Sequence, residues 1–164
     1  MGVNYSEFEA LKKKLEKVSQ ADTQRFMIKT TSEIAARVLR DVRKRTPTGH
    51  KPKVSNQILQ MYWEGYQGGT LKRAWTVHPM SRSTSPQGTV YRYKVINPTR
   101  YASYVEYGHR QRPGRYVPQL GKRLKVSWVK GKFMLTKSQK SVQDKVPQIV
   151  DKRLDEFLKK VFEE

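Results

Sequence analysis

Between Glu33 and Asp144 the chain holds only three acids, Asp41, Glu64 and Glu106. From Arg100 to Lys132 there are nine Lys or Arg and one acid, Glu106. A fold built from such a stretch cannot neutralise its cations by local pairing. It must hold them in solvent or set them against something acidic. Over all 164 residues, 34 Lys and Arg stand against 14 Asp and Glu, a formal charge of +20. This excess favours nucleic acid, a membrane surface or an acidic protein as partner, with attraction that weakens as salt rises. The apolar content of 36% and mean hydropathy of −0.82 allow one domain over residues 1–164. They leave either much surface or a part of the chain that orders only against neighbours.

Helical and strand patterns divide the chain clearly. Ser6 and Glu9 form a capping box, followed by Leu11, Leu15 and Val18 at helical spacing. Asp22 suits the cap of a longer helix ending near Arg45, with Pro47 beyond it. Residues 46–69 have loop texture, with a short helix expected over 56–63. So long a connection implies an extended arm or an insertion. Residues 70–77 and 88–97 read as strands of a hairpin with a turn-like stretch at 81–87, and the second strand alternates Arg92 and Lys94 against Tyr91, Tyr93 and Val95. A short helix ends at Gly108, a third strand is expected over 123–129, and Pro147 opens a terminal amphipathic helix. The fold class is α+β: a small, mostly antiparallel sheet packed against N- and C-terminal helices, in the order α-α-β-β-α-β-α. One core is expected from Ala35, Leu39, Trp75, Tyr91, Tyr93, Val95, Leu154, Phe157 and Val161.

Catalytic and cofactor chemistry has little to draw on. There is no cysteine, so no disulfide and no thiolate zinc site. His50, His78 and His109 lack metal-ligand spacing, and no phosphate-binding glycine loop or nucleophile elbow is present. With acids so scarce, paired carboxylates for hydrolysis are poorly supplied. No catalytic residue, cofactor or metal is expected. No apolar run approaches the ~18 residues of a membrane span.

What remains is binding, centred on Asn97–Pro118. Tyr101, Tyr104 and Tyr107 recur every third residue of a short helix. They serve either as stacking surfaces beside Arg100 and Arg110 or as packing that seats the helix on the sheet. The sheet's need for a cover favours packing. After Gly108, Arg110, Arg112 and Arg115 surround a Pro113–Gly114 turn with no acid between them, and Lys122 and Arg123 follow. These six cations, Arg100 included, are candidates for contact with an acidic partner or DNA.

The stretch TLKRAWTV, with Leu71 and Trp75, precedes a Tyr-rich strand and then YASYVEYG, with Tyr101, Ala102, Tyr104, Val105, Glu106, Tyr107 and Gly108. Together with the basic Pro/Gly loop and the terminal amphipathic helix, this resembles the neck and tail-completion proteins of tailed bacteriophages and defective prophages. The resemblance spans roughly residues 21–164. The family's Pro-Thr-Gly approach to its first strand is split here, Thr46–Gly49 standing apart from Gly69–Leu71. The resemblance implies a structural virion protein, not an enzyme, forming a homo-oligomeric ring, six copies favoured, at the head-proximal end of the tail. Adjoining neck, connector or tail-tube proteins would be its partners, with non-specific contact to DNA in the channel and assembly in the bacterial host cytoplasm. The alternative is a free basic nucleic-acid-binding protein.

Overall fold

The computed structural model describes residues 18–163 except 55 and 87, together with Glu9, Lys12, Lys13 and Glu16. The helix expected over 6–18 falls largely outside these residues. The chain is α+β, and its elements group into two compact units, residues 1–37, 78–94 and 141–164 in one and residues 38–77 and 95–140 in the other.

Helix α1, Gln20–Arg45, enters both units. Its cap is Ser19 rather than Asp22. The Ser19 hydroxyl accepts from Asp22 N–H at 3.1 Å, and Asp22 takes the third helical position, where a carboxylate favours the helix N-terminus. In the first unit, Phe26 on α1 stacks at 5.2 Å between centroids on Phe157 of helix α6, Val146–Glu163. Glu33 joins the same two helices. Arg37 donates to one of its oxygens at 2.7 Å and Arg153 to the other at 2.6 Å. Pro147 lies in the first turn of α6, as expected. The tip of a hairpin completes the unit. Strands β1, Thr76–Ser85, and β2, Gly88–Ile96, pair tightly enough that Thr84 and Thr89 hydroxyls lie 3.3 Å apart. The stretch expected to be turn-like is therefore mostly strand. Along β2, Tyr91, Tyr93 and Val95 are half-buried while Val90, Arg92 and Lys94 are exposed, as the alternation predicts.

The second unit carries the tighter core, built from Val42, Leu71, Trp75 and Met134 with Leu39, Val95, Ala102, Val105 and Leu135 against them. Residues 70–77 are not one strand. Thr70–Arg73 is a helical turn, α3, and β1 begins at Thr76. Leu71 and Trp75 are four apart, a spacing that shares a face in helix and strand alike. The pattern alone could not choose, and the turn closes because Arg73 N–H reaches Gly69 C=O at 2.9 Å. The Trp75 indole N–H donates to Thr46 Oγ1 at 2.8 Å, and that hydroxyl donates to Val42 C=O at 2.6 Å. Arg43 returns a bond to Trp75 C=O at 2.6 Å. The indole thus pins the last turn of α1.

The expected third strand is two short ones. Strand β5, Lys122–Arg123, pairs antiparallel with β4, Tyr116–Val117, and β6, Trp128–Lys130, pairs antiparallel with β3, Gly108–Arg110. The three two-stranded ladders do not merge into one sheet. Helix α5, Met134–Gln143, starts at the buried Met134, which the expected core omitted along with Val42 and Leu71. Leu154, expected inside, is 40% exposed. It lies about 60° around α6 from the inward Phe157, at the solvent edge of that face.

The segment 46–69 folds back on itself. Gly68 has φ +69°, and a Cβ there would lie 2.1 Å from Gly49 C=O, so only glycine lets the two ends touch. The halves of the split Pro-Thr-Gly approach therefore meet again, with the intervening residues thrown out as an arm. Its helix α2, Gln57–Met61, is capped by Asn56, which accepts from Ile58 N–H at 2.8 Å. The arm rests on the 3₁₀ turn Pro118–Leu120, where Trp63 Nε1–H donates to Gln119 C=O at 2.9 Å.

Trp75→Ala is expected to cost about 3–5 kcal/mol, from lost burial and the severed tie to Thr46. Leu154→Ala should stay within about 1 kcal/mol, since half-solvated positions on a helix contribute little. Urea unfolding midpoints of the two variants test the ranking. A second expectation concerns acid. The hydrogen bonds from Arg37 and then Arg153 hold the Glu33 carboxyl below the ordinary glutamate value of 4.5. A depressed folded-state pKa contributes stability that is whole above that ordinary value and is lost as pH falls through the folded one. Glu33→Gln should therefore be less stable than wild type at neutral pH and lose less on acidification. Parallel unfolding-versus-pH curves would contradict this.

Candidate functional site

Helix α4, Ala102–Tyr107, delivers the chain into the basic segment. Ala102 and Val105 turn to the core, and Glu106 is 4% exposed. Tyr101, Tyr104 and Tyr107 are exposed. The expectation that the tyrosines seat this helix is thus reversed. A six-residue helix has one inward face, and Ala102, Val105 and Glu106 occupy it.

The Glu106 carboxylate explains its own burial. One oxygen accepts from Leu135 N–H at 3.0 Å, the other from Thr136 N–H at 3.0 Å and Thr136 Oγ1–H at 2.8 Å. The two N–H groups are first-turn donors of α5 that a Ser or Asp cap would normally satisfy. Phe133, the residue ahead of that helix, has no side-chain oxygen, and its φ is +52°. Its N–H donates to Glu106 C=O at 3.0 Å. Glu106 therefore caps α5 from a distant part of the chain, its charge matched to the positive end of the helix.

Directly after it, Gly108 lets two backbones meet. With φ +87°, a Cβ here would lie 2.4 Å from Val129 C=O. The expected free loop is instead an irregular ribbon. Gly108, His109 and Arg110 face Lys130, Val129 and Trp128 across the β3–β6 ladder. Gln111 N–H donates to Ser127 C=O at 2.8 Å. Arg112 C=O accepts from Arg115 N–H at 3.2 Å around Pro113 and Gly114 (φ +83°), the residues a type II turn takes. Tyr116 and Val117 then pair with Arg123 and Lys122.

Strand alternation sorts the side chains. His109 and Val129 are half-buried on one face, while Arg110, Trp128 and Lys130 are exposed on the other. Arg100, Arg110, Arg112, Arg115, Lys122 and Arg123 are all exposed. Among the described residues none of the six makes an ion pair. Arg123 donates instead to Gly114 C=O at 2.7 Å, bracing the ribbon. Trp128, Tyr116 and Lys130 join this surface and were not singled out from sequence. The strand register across the ribbon brings them there. Leu71 and Trp75, the other motif residues, are core and face no partner.

Among the described residues no three His, Cys, Asp or Glu gather as a metal site. No helix among them is long and apolar enough to cross a membrane. The surface offers cations and aromatic faces, fit for phosphates, carboxylates or stacked rings.

Glu106→Gln keeps the shape but sets an amide N–H₂ against backbone donors. It should cost about 1–3 kcal/mol, whereas the exposed Glu64→Gln should stay within about 0.5 kcal/mol. Equal unfolding midpoints for the two variants would remove the capping role.

Residues 9–108 match the family model HK97-gp10-like, described as "Bacteriophage HK97-gp10, putative tail-component". No curated protein and no solved structure matches the chain. The matched residues hold α1, the arm, the hairpin and α4, and end at Gly108, where the ribbon begins. With well over half of its length matched, from the first described residue through the Glu106 anchor, the chain belongs to the HK97-gp10-like family of bacteriophage tail components.

Proposed function

We propose that this tail component is a ring-forming neck protein at the head-proximal end of the tail, acting in tail completion or head–tail joining. One observation carries most weight. Between Glu64 and Asp144 the only acid is Glu106, and it is buried under α5. The outward surface of that whole stretch is therefore free of acids. With nothing acidic opposite, such a field is self-repulsion. A ring around a DNA channel, or one set against an acidic rim, does. The role is structural and uses no catalytic group or cofactor, and the chain works as one assembly unit over residues 1–164. Six copies are favoured, because the tail tubes that such proteins join resemble sixfold stacks. Partners are the adjoining neck, connector or tail-tube proteins. DNA in the channel is touched without sequence preference. The subunit is made in the bacterial host cytoplasm and ends in the virion.

A second reading has the exposed Tyr101, Tyr104, Tyr107 and Trp128 in its favour. Aromatic faces beside arginines suit a free single-strand binder. The two differ in salt response and in company. A free binder should hold oligonucleotides with affinity that falls steeply with salt, whereas a neck protein should bind them weakly and co-purify with particles.

Replacing Arg110, Arg112 and Arg115 together by Gln should leave the subunit's unfolding midpoint within about 1 kcal/mol of wild type, because exposed charges contribute little to stability. The yield of completed particles, and their resistance to salt, should drop. Normal assembly and unchanged salt resistance in this variant would make the ribbon a bystander.

A further inference from the structure

The arm over residues 46–69 has an unusual electrostatic character for this chain. From Val54 to Leu71 there is no Lys or Arg, the longest such run in the sequence, and Glu64 lies within it. In a chain of +20 this is the piece of surface that a second, equally basic copy would repel least. It also carries an uncovered apolar face. Leu59 and Trp63 point to the 118–121 turn, where Leu59 Cδ1 would sit 2.5 Å from a Cβ at Gly121. Ile58, Met61 and Tyr62 point away and are 67%, 71% and 62% exposed. Their i, i+3, i+4 spacing is that of a helix that anchors in a groove.

A groove of matching character lies on the same chain. A space of about 400 Å³ opens beside Phe26, Phe157 and Val161, with Arg25 and Lys29 at its edge. Thr30 also lines it. The groove is apolar at its floor, and around it the cations Arg25, Lys29, Arg153 and Lys160 outnumber the acids Asp22 and Glu156. The arm is apolar at its face and carries an acid.

We infer that in the assembled ring the Ile58–Met61–Tyr62 face of one copy seats in the Phe26–Phe157 groove of the next, with Glu64 toward Arg25 and Lys29. A knob and a hole built from different residues of one chain make a heterologous contact, which repeats around a ring until it closes. The inference rests on the ring proposed above and says which surfaces build it. It accounts for an arm that joins a closed glycine base and leaves large apolar side chains in water.

The chain has no cysteine, so engineered pairs report cleanly. Met61→Cys and Lys29→Cys would be placed on separate copies, mixed, assembled into particles and oxidised. A disulfide between one copy's position 61 and another's position 29 is expected. The double variant Ile58→Lys, Tyr62→Lys should keep the wild-type unfolding midpoint but weaken subunit association by more than about tenfold. If particles contain several copies yet the 61–29 disulfide does not form and the double variant assembles normally, this pairing is wrong while the ring stands. A link from position 61 to an adjoining protein instead of a second copy overturns it equally. A single copy per particle removes the ring, and the pairing with it.

Discussion

A buried carboxylate on the end of a helix holds the second unit of this protein together. Glu106 reaches α5 across a gap of 29 residues in sequence and satisfies three of its first-turn donors. Several features depend on that bond. It frees Phe133 from the capping role and helps hold its left-handed backbone, an unfavourable state for a bulky residue. It fixes α4 so that Ala102 and Val105 meet the core and the three tyrosines do not. It also sets the point at which Gly108 can approach Val129 and start the ribbon. A neutral cap could satisfy the same donors, but only an anion also answers the positive end of the helix.

The same bond shapes the electrostatics. The one acid in a long cationic stretch is drawn inside, to backbone dipoles. What is left outside, from the arm's end to Asp144, is a surface of one sign. One placement caps a helix end and leaves a basic face outside. By contrast, Glu33 and Asp41 on α1 pair with Arg37 and Arg45 four residues on, the ordinary arrangement of a solvated helix. The chain thus pairs the acids of its long helix with arginines one turn away and leaves the ribbon's cations without such pairs.

Trp75 and Thr46 do for the other side of that unit what Glu106 does for α5. They tie the end of α1 to the start of the hairpin through one hydroxyl that accepts and donates. Between them the chain makes a long excursion, yet returns to Gly49 by way of Gly68. An insertion that leaves and re-enters at the same place costs the core little, because its ends need no new path. That is how a segment too long for a simple connection fits a small unit.

Much of this was legible in the residues. The α+β class, the long helix to Arg45, the alternating face of β2, the stop at Gly108, the helix start at Pro147 and the family motif all follow from local chemistry: periodicity, caps and breakers act within a few residues. The sequence by itself also determined that the cations from Arg100 to Lys132 would have no acid near them in the chain other than Glu106. Tertiary structure decided the rest. Leu71 and Trp75 fit helix or strand, and only the contact at Gly69 chose the turn. Tyr101, Tyr104 and Tyr107 look like a packing stripe, and only the draw of Glu106 toward α5 turned them outward. Leu154 follows the spacing of its helix but not the position of what that helix meets. The ribbon's exposed face depends on which strand lies opposite Arg110, and pairing between residues far apart in the chain leaves no mark in either one alone.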